Sequence, residues 1–429
     1  MLPTLPWEIW AHIASYLSKD QLKKLYSVNR ALYEISMDAR YKTLWVEYLD
    51  KRTISRLRSV QDTPLVDREV HTVSATQDAL TSIGSALLHR LYEAKPQHPD
   101  HVIGRVERHL RIIDCIWSLL SGRVESLSIR LWGGKTHFVC PTFSNVLGIK
   151  HLSVTLLGAF RGNAVAPGIA NLINAASASL ESFHLEISGI PSDSNHEIFG
   201  RLHPFPRVKR AHFAFCNAQA GSEAVTFLNT HGKGLEELKL SAVGVIPFSV
   251  AALQLPVLHK LSVDWSFCHN WTDHLKPGTN FPMLSCLKIT GPCTKGHHII
   301  SFCDMLKRAG GSGLRHLELP CETMDAEAFD HFAEAFPNLH TLILQTTHLS
   351  SSSGSIPGWD VESFAAEMEN REYSAWSLYD LEIRPVARAY GRFRYPWPSY
   401  EVMQIVASHV PSVRSFCGSG HMDSPNGAD

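Results

Sequence analysis

The sequence predicts an α/β protein with three N-terminal helices followed by a long open array of short parallel strands. Three observations predict this class. Apolar residues recur at i, i+3 and i+5 in ten segments from residue 124 onwards. Helix-length segments lie between several of these. Apolar residues at helical spacing occupy the first 49 residues.

The repeated segment has the form apolar-x-x-apolar-x-apolar. Its ten clear copies begin at Val124, Ile149, Leu180, Val208, Leu235, Leu258, Leu284, Leu314, Leu339 and Leu378, and a degraded copy begins at Val413. Successive copies begin 23 to 39 residues apart, a pattern that resembles leucine-rich repeats. The resemblance implies an open solenoid over residues 121–420 with a parallel sheet on its concave face. Most copies lack the Asn or Cys expected after the third apolar position, so the sequence does not predict regular curvature.

The residues between the apolar positions are polar in nearly every copy. Because side chains alternate along a strand, we expect them to form one solvent-facing surface. Its charged members are Arg130, Arg210, Lys239, Lys260, Lys288, Arg384, Glu186, Glu237, Asp264, Glu318, Asp380 and Glu382. Mixed signs with Ser, Thr and His favour protein recognition over polyanion binding. The alternative, that the face is merely solvated, stays open for any single residue.

A closed (βα)8 barrel is the main enzymatic alternative, with its catalytic groups at the strand ends. Such a barrel stops at eight units, and its strands are covered on both faces. Ten or eleven copies with one polar face therefore favour the open array.

The connecting segments complete the predicted organisation. Helices are predicted at residues 168–177, 222–231, 298–309, 326–336 and 400–409, and an inserted loop at 345–377. Residues 51–120 are predicted to be a helical spacer with helices at 79–92 and 102–120, and residues 421–429 a flexible tail.

Apolar residues at helical spacing predict a compact helical segment over residues 1–50. Ile9, Ile13, Tyr16 and Leu17 share one helix face. Ser18 followed by Gln21 predicts a capping box that opens the next helix. A third helix is predicted from the stripe Tyr41, Leu44, Trp45, Tyr48 and Leu49. By periodicity alone, these helices are equally consistent with an ordinary cap that packs only on the rest of the chain.

Residues 3–49 resemble an F-box. The resemblance lies in Leu5-Pro6-x-Glu8-Ile9, in Tyr16-Leu17 before an Asp-containing turn, and in Val28-Asn29-Arg30-x-Leu32-Tyr33. It implies docking onto the Skp-family adaptor of a cullin–RING ubiquitin ligase through Leu5, Pro6, Ile9, Leu17, Leu22, Leu25, Val28 and Trp45. The implied function is a substrate-recognition adaptor of an SCF-type ligase that catalyses nothing itself and selects an unknown protein substrate. The alternative is a non-degradative leucine-rich-repeat scaffold.

Arginines alternate with aromatic residues near the end of the array. The segment contains Arg384, Arg388, Arg392 and Arg394, with Tyr390, Phe393, Tyr395 and Trp397. Arg and aromatic side chains are typical of interface hot spots. We therefore predict a substrate-contacting loop here, with Arg384, Arg388, Arg392, Arg394, Tyr390 and Trp397 as its binding residues. The alternative is a merely solvated loop.

Composition and motifs exclude several other classes. A net charge of −1 gives no general attraction to nucleic acid or to an anionic membrane, and no apolar run approaches the ~20 residues of a membrane span. Nine cysteines without a CxxC pair, and no secretory signal, predict an intracellular protein of the cytoplasm or nucleus. The Gly133-Gly134-Lys135-Thr136 segment lacks the upstream glycine of a phosphate-binding loop. No zinc spacing or catalytic motif is found, so no cofactor or metal is expected.

Overall fold

The computed structural model describes residues 5–25, 27–41, 43–46, 72–76, 124–132, 148–157, 165–188, 198–215, 220–242, 252–267, 281–291, 302–304, 306–307, 313–349, 360–385 and 399–416. The chain divides into two compact units, Met1–Val208 and Lys209–Asp429.

The first unit opens with three helices: α1 (Trp7–Ser15), α2 (Lys19–Leu25) and α3 (Arg30–Tyr41). Pro6 is the N-cap of α1, immediately before the first helical residue, Trp7. The predicted capping box is confirmed, because the Ser18 amide donates to Gln21 Oε1 at 2.8 Å and the Gln21 amide donates to Ser18 Oγ at 3.3 Å. Asn29 caps α3 by accepting from the Leu32 amide at 2.8 Å.

The predicted helix around Leu44 and Trp45 is wrong. Thr43–Val46 forms strand β1, which pairs in parallel with β2 (Thr72–Thr76), so that Trp45 lies opposite Ser74. Two adjacent large apolar residues fit a strand as well as a helix, and main-chain pairing with β2 decides between them. Strand β2 lies inside the predicted spacer 51–120. The helices predicted there, 79–92 and 102–120, lie outside the described residues.

Three further strands of the first unit continue from β2. They are β3 (Ser126–Trp132), β4 (His151–Leu157) and β5 (Ser182–Ser188), with α4 (Val165–Ala176) between the last two. Each strand from β1 to β5 pairs in parallel with the next.

The second unit repeats this arrangement. Its strands are β6 (Arg210–Phe215), β7 (Glu237–Ala242), β8 (Lys260–Asp264), β9 (Cys286–Thr290), β10 (His316–Met324), β11 (Thr341–Leu349) and β12 (Asp380–Pro385). Its helices are α5 (Ala220–His231), α6 (Ala326–Ala335), α7 (Val361–Met368) and α8 (Ser399–His409), with a 3₁₀ helix at Trp265–Phe267. Successive strands pair in parallel, and the degraded copy near Val413 contributes one bridge, Asp380 to Ser415.

The parallel strands predicted at the ten clear copies are confirmed. In every one, the second and third apolar positions are buried, as with Leu127 and Ile129 in β3 or Leu381 and Ile383 in β12. Four of the predicted connecting helices also form, and of the fifth, 298–309, only residues 302–304 and 306–307 are described.

The inserted loop predicted at residues 345–377 contains helix α7, so that prediction is wrong for this part. Asp360 caps α7, accepting from the Ser363 amide at 3.0 Å and from Ser363 Oγ at 2.6 Å. Phe364 and Met368, one turn apart, are fully buried. Burial of these two side chains holds a helix that is short on its own.

Main-chain contacts recur where one repeat joins the next. In the second unit, the carbonyl of an apolar residue before a proline accepts from the amide three residues later, as Phe281 does from Leu284 at 3.2 Å and Phe336 from Leu339 at 3.1 Å.

Asparagine side chains on two helices bond to the main chain of the segment that follows. Asn229 on α5 donates to the Ala252 carbonyl at 2.8 Å and accepts from the Gln254 amide at 2.7 Å. In the first unit, Asn174 makes the same pair of contacts with Arg201 and His203. These asparagines therefore connect neighbouring segments from a helix, whereas leucine-rich repeats are expected to have an Asn after the third apolar position of the strand.

Candidate interaction surfaces

Helix α1 turns its apolar stripe towards solvent. Ala14 is buried and Trp10 is half-buried, whereas Ile9, Ile13 and Tyr16 are all exposed. These three lie at i, i+4 and i+7, which places them on one face of the helix. A surface helix normally buries such a face on its own core. The predicted alternative of an ordinary cap requires that burial, and the described residues do not show it.

Large exposed apolar side chains are concentrated in α1 and the segments next to the N-terminal helices. Six are exposed by between 39% and 76%, and we call them the N-terminal apolar set: Leu5, Trp7, Ile9, Ile13, Tyr16 and Val28. Only Val257, Met283 and Tyr379 are comparably exposed in the rest of the described chain. Concentrated exposed apolar side chains are typical of sites where another protein binds.

The predicted adaptor-contacting residues divide into three groups. Leu5, Pro6, Ile9 and Val28 are exposed, and Leu17 and Leu25 are half-buried. Leu22 is only 7% exposed, and Ser36 Oγ donates to its carbonyl at 3.0 Å, so it belongs to the core of the helical segment. The backbone of Trp45 lies in strand β1.

Three exposed residues of the set were not predicted as contacts: Trp7, Ile13 and Tyr16. The i, i+4, i+7 spacing of Ile9, Ile13 and Tyr16 was a signal that could have found two of them. Periodicity identifies a shared face, but it does not say whether that face is buried or exposed. Ala14, which is buried, lies on the other side of the helix.

The polar sides of the strands in the second unit form a second surface, which we call the polar strand face. Strand register places Lys239, Ser262, Lys288 and Glu318 in one row across β7 to β10. The adjacent row contains Arg210, Glu237, Lys260, Cys286, His316, Thr341 and Asp380. This row is polar on all seven strands except at Cys286 on β9.

A network of charges lies at one end of this face. Glu318 on β10 forms an ion pair with Lys288, whose Nζ atom lies 2.6 Å from the Glu318 carboxylate. The same carboxylate accepts a hydrogen bond from Gln345 Nε2 at 2.9 Å. Arg384 on β12 donates through Nε and Nη2 to the two carboxylate oxygens of Glu382, at 2.6 and 2.8 Å. Its Nη1 atom also lies 3.6 Å from Glu318 Oε1. Both glutamates are buried.

Arg384 is thus part of a strand and is held by two carboxylates. Its side chain is still half exposed, so it can contact a partner. The other predicted substrate-contacting residues, Arg388, Tyr390, Arg392, Arg394 and Trp397, lie outside the described residues.

Two titratable side chains on this face have shifted pKa values. Burial raises the pKa of the Cys286 thiol, which lowers the fraction of reactive thiolate. Burial also lowers the pKa of His316, helped by Lys288 and Lys260 and opposed by Glu318 and Asp380. Among the described side chains, no group of three His, Cys, Asp or Glu could hold a metal ion. No helix in the described part of the chain is long and apolar enough to cross a membrane.

These observations define a parallel α/β repeat protein with one strand per repeat, in the manner of leucine-rich repeats. No family model and no curated protein matches the chain. Among solved structures, it is similar to the crystal structure of an internalin (inlF) from Listeria monocytogenes, with 11% identity over 87% of this chain and 96% of that chain and a TM-score of 0.35. It is also similar to the crystal structure of the Rad7 and Elc1 complex in yeast, with 11% identity over 93% and 98% and a TM-score of 0.26. Likeness at this level says nothing about what this chain binds.

Proposed function

We propose that this protein is a substrate-recognition adaptor of an SCF-type ubiquitin ligase. Its N-terminal helices dock onto the Skp-family adaptor, and its strands bind the protein substrate. The chain itself catalyses nothing and acts inside the cell, in the cytoplasm or nucleus. Ubiquitin transfer belongs to other subunits of the ligase.

The observation that carries the docking half is the solvent-facing stripe Ile9, Ile13 and Tyr16 on α1. Exposing three large apolar side chains on one helix face is unfavourable in water, at about 25 cal/mol for each Å² of apolar surface left accessible. A partner that covers the face recovers this free energy. The stripe lies within the segment whose order of residues resembles an F-box, and that resemblance names the partner.

The observation that supports the recognition half is the polar strand face. A surface with both signs of charge, hydroxyl groups and half-buried side chains across seven strands suits specific contact with another folded or extended chain. Leucine-rich-repeat arrays commonly bind their partners across extended surfaces of this kind.

A pull-down with immobilised Skp-family adaptor tests the proposal. We expect the intact chain to be retained and the double variant Ile9→Ser, Ile13→Ser to be lost, since polar side chains remove the apolar contact. The matched control is Met283→Ser with Tyr379→Ser, which removes two exposed apolar side chains from the second unit. Circular dichroism of each variant checks that the helices remain.

Two results would contradict the proposal. One is an intact chain that does not bind the adaptor. The other is an Ile9, Ile13 variant retained as well as the intact chain. Either would favour a non-degradative scaffold, in which the N-terminal apolar set serves a different partner.

A further inference from the structure

Burial separates the two signs of charge on the polar strand face of the second unit. By sequence, five basic and five acidic residues share it: Arg210, Lys239, Lys260, Lys288 and Arg384, and Glu237, Asp264, Glu318, Asp380 and Glu382. Four of the five cations are exposed and Lys288 is partly exposed, whereas no acidic residue is exposed. The exposed cations are Arg210, Lys239, Lys260 and Arg384. A face that is balanced by sequence therefore presents mainly positive charge to solvent.

Four of the five acidic side chains accept hydrogen bonds within the chain. Asp264 accepts from the amide and the hydroxyl of Ser266 at 3.1 and 3.0 Å. Asp380 accepts from Thr341 Oγ1 at 3.4 Å, and Glu318 and Glu382 belong to the network described above. A carboxylate that accepts such hydrogen bonds has part of its charge compensated and is less able to repel an approaching anion.

Three lysines lie on consecutive strands at the centre of the surface: Lys239 on β7, Lys260 on β8 and Lys288 on β9. Neighbouring strands are about 4.8 Å apart, so Lys239 and Lys288 in one row are roughly 10 Å apart at the backbone. Lys260 lies in the adjacent row between them. Among described residues, neither Lys239 nor Lys260 forms an ion pair.

We propose that this lysine patch, Lys239, Lys260 and Lys288, binds an acidic extended segment of a partner protein. Alternate residues of an extended chain are about 6.6 Å apart, which lets successive carboxylates of such a segment meet the three ammonium groups. That the partner is a ligase substrate rests on the function proposed above, but the chemistry of the patch does not.

Charge complementarity favours an acidic protein segment over nucleic acid. Glu237 lies in the same row as Lys260, and Glu318 is paired with Lys288. A nucleic-acid site meets a continuous line of phosphates with unbroken positive charge, whereas Glu237 and Glu318 interrupt the line of cations here. The chain as a whole carries a net charge of −1.

Fluorescence anisotropy with the full chain tests the inference. The probe is a fluorescein-labelled 12-residue peptide of alternating Glu and Gly, and the comparison probes are the Gln–Gly peptide and a 12-nucleotide single-stranded RNA. We expect the Glu–Gly peptide to bind most tightly and its affinity to fall as salt is raised. The variant Lys239→Ser, Lys260→Ser should weaken that binding roughly fivefold or more.

The control variant is Lys233→Ser with Lys307→Ser, which removes the same charge at exposed positions outside the strands. It should leave peptide affinity nearly unchanged. Equal weakening by both variants, equal binding of the Gln–Gly peptide, or tighter binding of the RNA would each overturn the inference.

The adaptor pull-down separates this inference from the proposed function. The Lys239, Lys260 variant should keep the adaptor, because the substitutions lie in the second unit. Failure of peptide binding with the adaptor retained would reject the lysine patch alone. Peptide binding without adaptor retention would reject the ligase function alone.

Discussion

The Nζ atom of Lys288 on β9 lies 2.6 Å from Oε2 of Glu318 on β10, and Glu318 is only 4% exposed. A carboxylate buried to this extent is stable only while its partners are in place. Lys288, Gln345 and Arg384 supply them from three different strands. One side chain therefore links four neighbouring strands of the second unit.

Replacing Glu318 by Ala should lower the free energy of unfolding by about 2 kcal/mol, since hydrogen bonds to a buried charge are lost together. Equilibrium urea denaturation of the full chain measures this. Glu334→Ala is the control, because Glu334 pairs with Lys307 at 2.7 Å but is largely exposed. It should change stability little. An equal loss in the two variants would show that the Glu318 network does not stabilise the sheet.

Two glycines adopt positive φ and should respond differently to alanine. Gly148 has φ +101° with open space around it, and Gly291 has φ +106° with Asp264 Oδ1 only 2.8 Å from an added Cβ. Backbone strain alone should cost Gly148→Ala about 1 kcal/mol, and the clash should raise the cost to about 2 kcal/mol in Gly291→Ala. Gly234→Ala, with neither feature, should stay within about 0.5 kcal/mol. Thermal denaturation gives the order, and a Gly291 variant as stable as the Gly234 variant would contradict it.

Alanine substitutions of Leu22 and Ile9 should differ in their effect on the stability of the N-terminal helices. Leu22→Ala leaves a cavity among the N-terminal helices and should lower their local stability by about 2–4 kcal/mol. Ile9→Ala removes only exposed surface and should stay within about 0.5 kcal/mol. Native-state hydrogen exchange of residues 7–41 measures both. If Ile9→Ala destabilised these helices as much as Leu22→Ala, the side chain would have to be buried in solution.

His316 should make the second unit less stable in mild acid. Its pKa is lowered in the folded state by burial and by Lys288 and Lys260, although Glu318 and Asp380 oppose the shift. The unfolded chain, with a His pKa of about 6.5, takes up the proton first, so stability falls as the pH drops below that value. Urea denaturation between pH 7.5 and 5.5 should show a shallower pH dependence for His316→Gln than for the control His203→Gln at an exposed site. The same slope in both variants would exclude His316 as a source.

Strand positions were predictable because the apolar spacing has a direct structural cause. Leu127 and Ile129, or Leu381 and Ile383, are two residues apart and so lie on one side of a strand, where burial selects apolar side chains. Strand β1 has the same spacing in Tyr41, Leu44 and Val46, but the adjacent Trp45 also completes a helical spacing with Tyr41 and Tyr48, so its sequence suits either structure. Its pairing partner, Thr72–Thr76, has the repeat spacing in Val70, Val73 and Ala75, but the small side chain of Ala75 makes a weak apolar signal.

The two candidate surfaces were predictable only in part. Spacing showed that Ile9, Ile13 and Tyr16 share a face, but their exposure depends on which side of α1 packs, and the packed side is the one that contains the buried Ala14. The sequence predicts equal numbers of basic and acidic residues on the polar strand face. The sorting of exposed lysines from buried glutamates depends on contacts such as Gln345 with Glu318, which join residues 27 positions apart and leave no local signal.

Hydrogen–deuterium exchange of the full chain, with and without the Skp-family adaptor, tests the central claim most directly. We expect slower exchange on adaptor binding in α1, α2 and the turns after them, residues 7–28, because the partner covers the N-terminal apolar set. Exchange in strands β7 to β10 should not change. Protection confined to those strands, or none at residues 7–28, would contradict the claim that the N-terminal helices are the docking site.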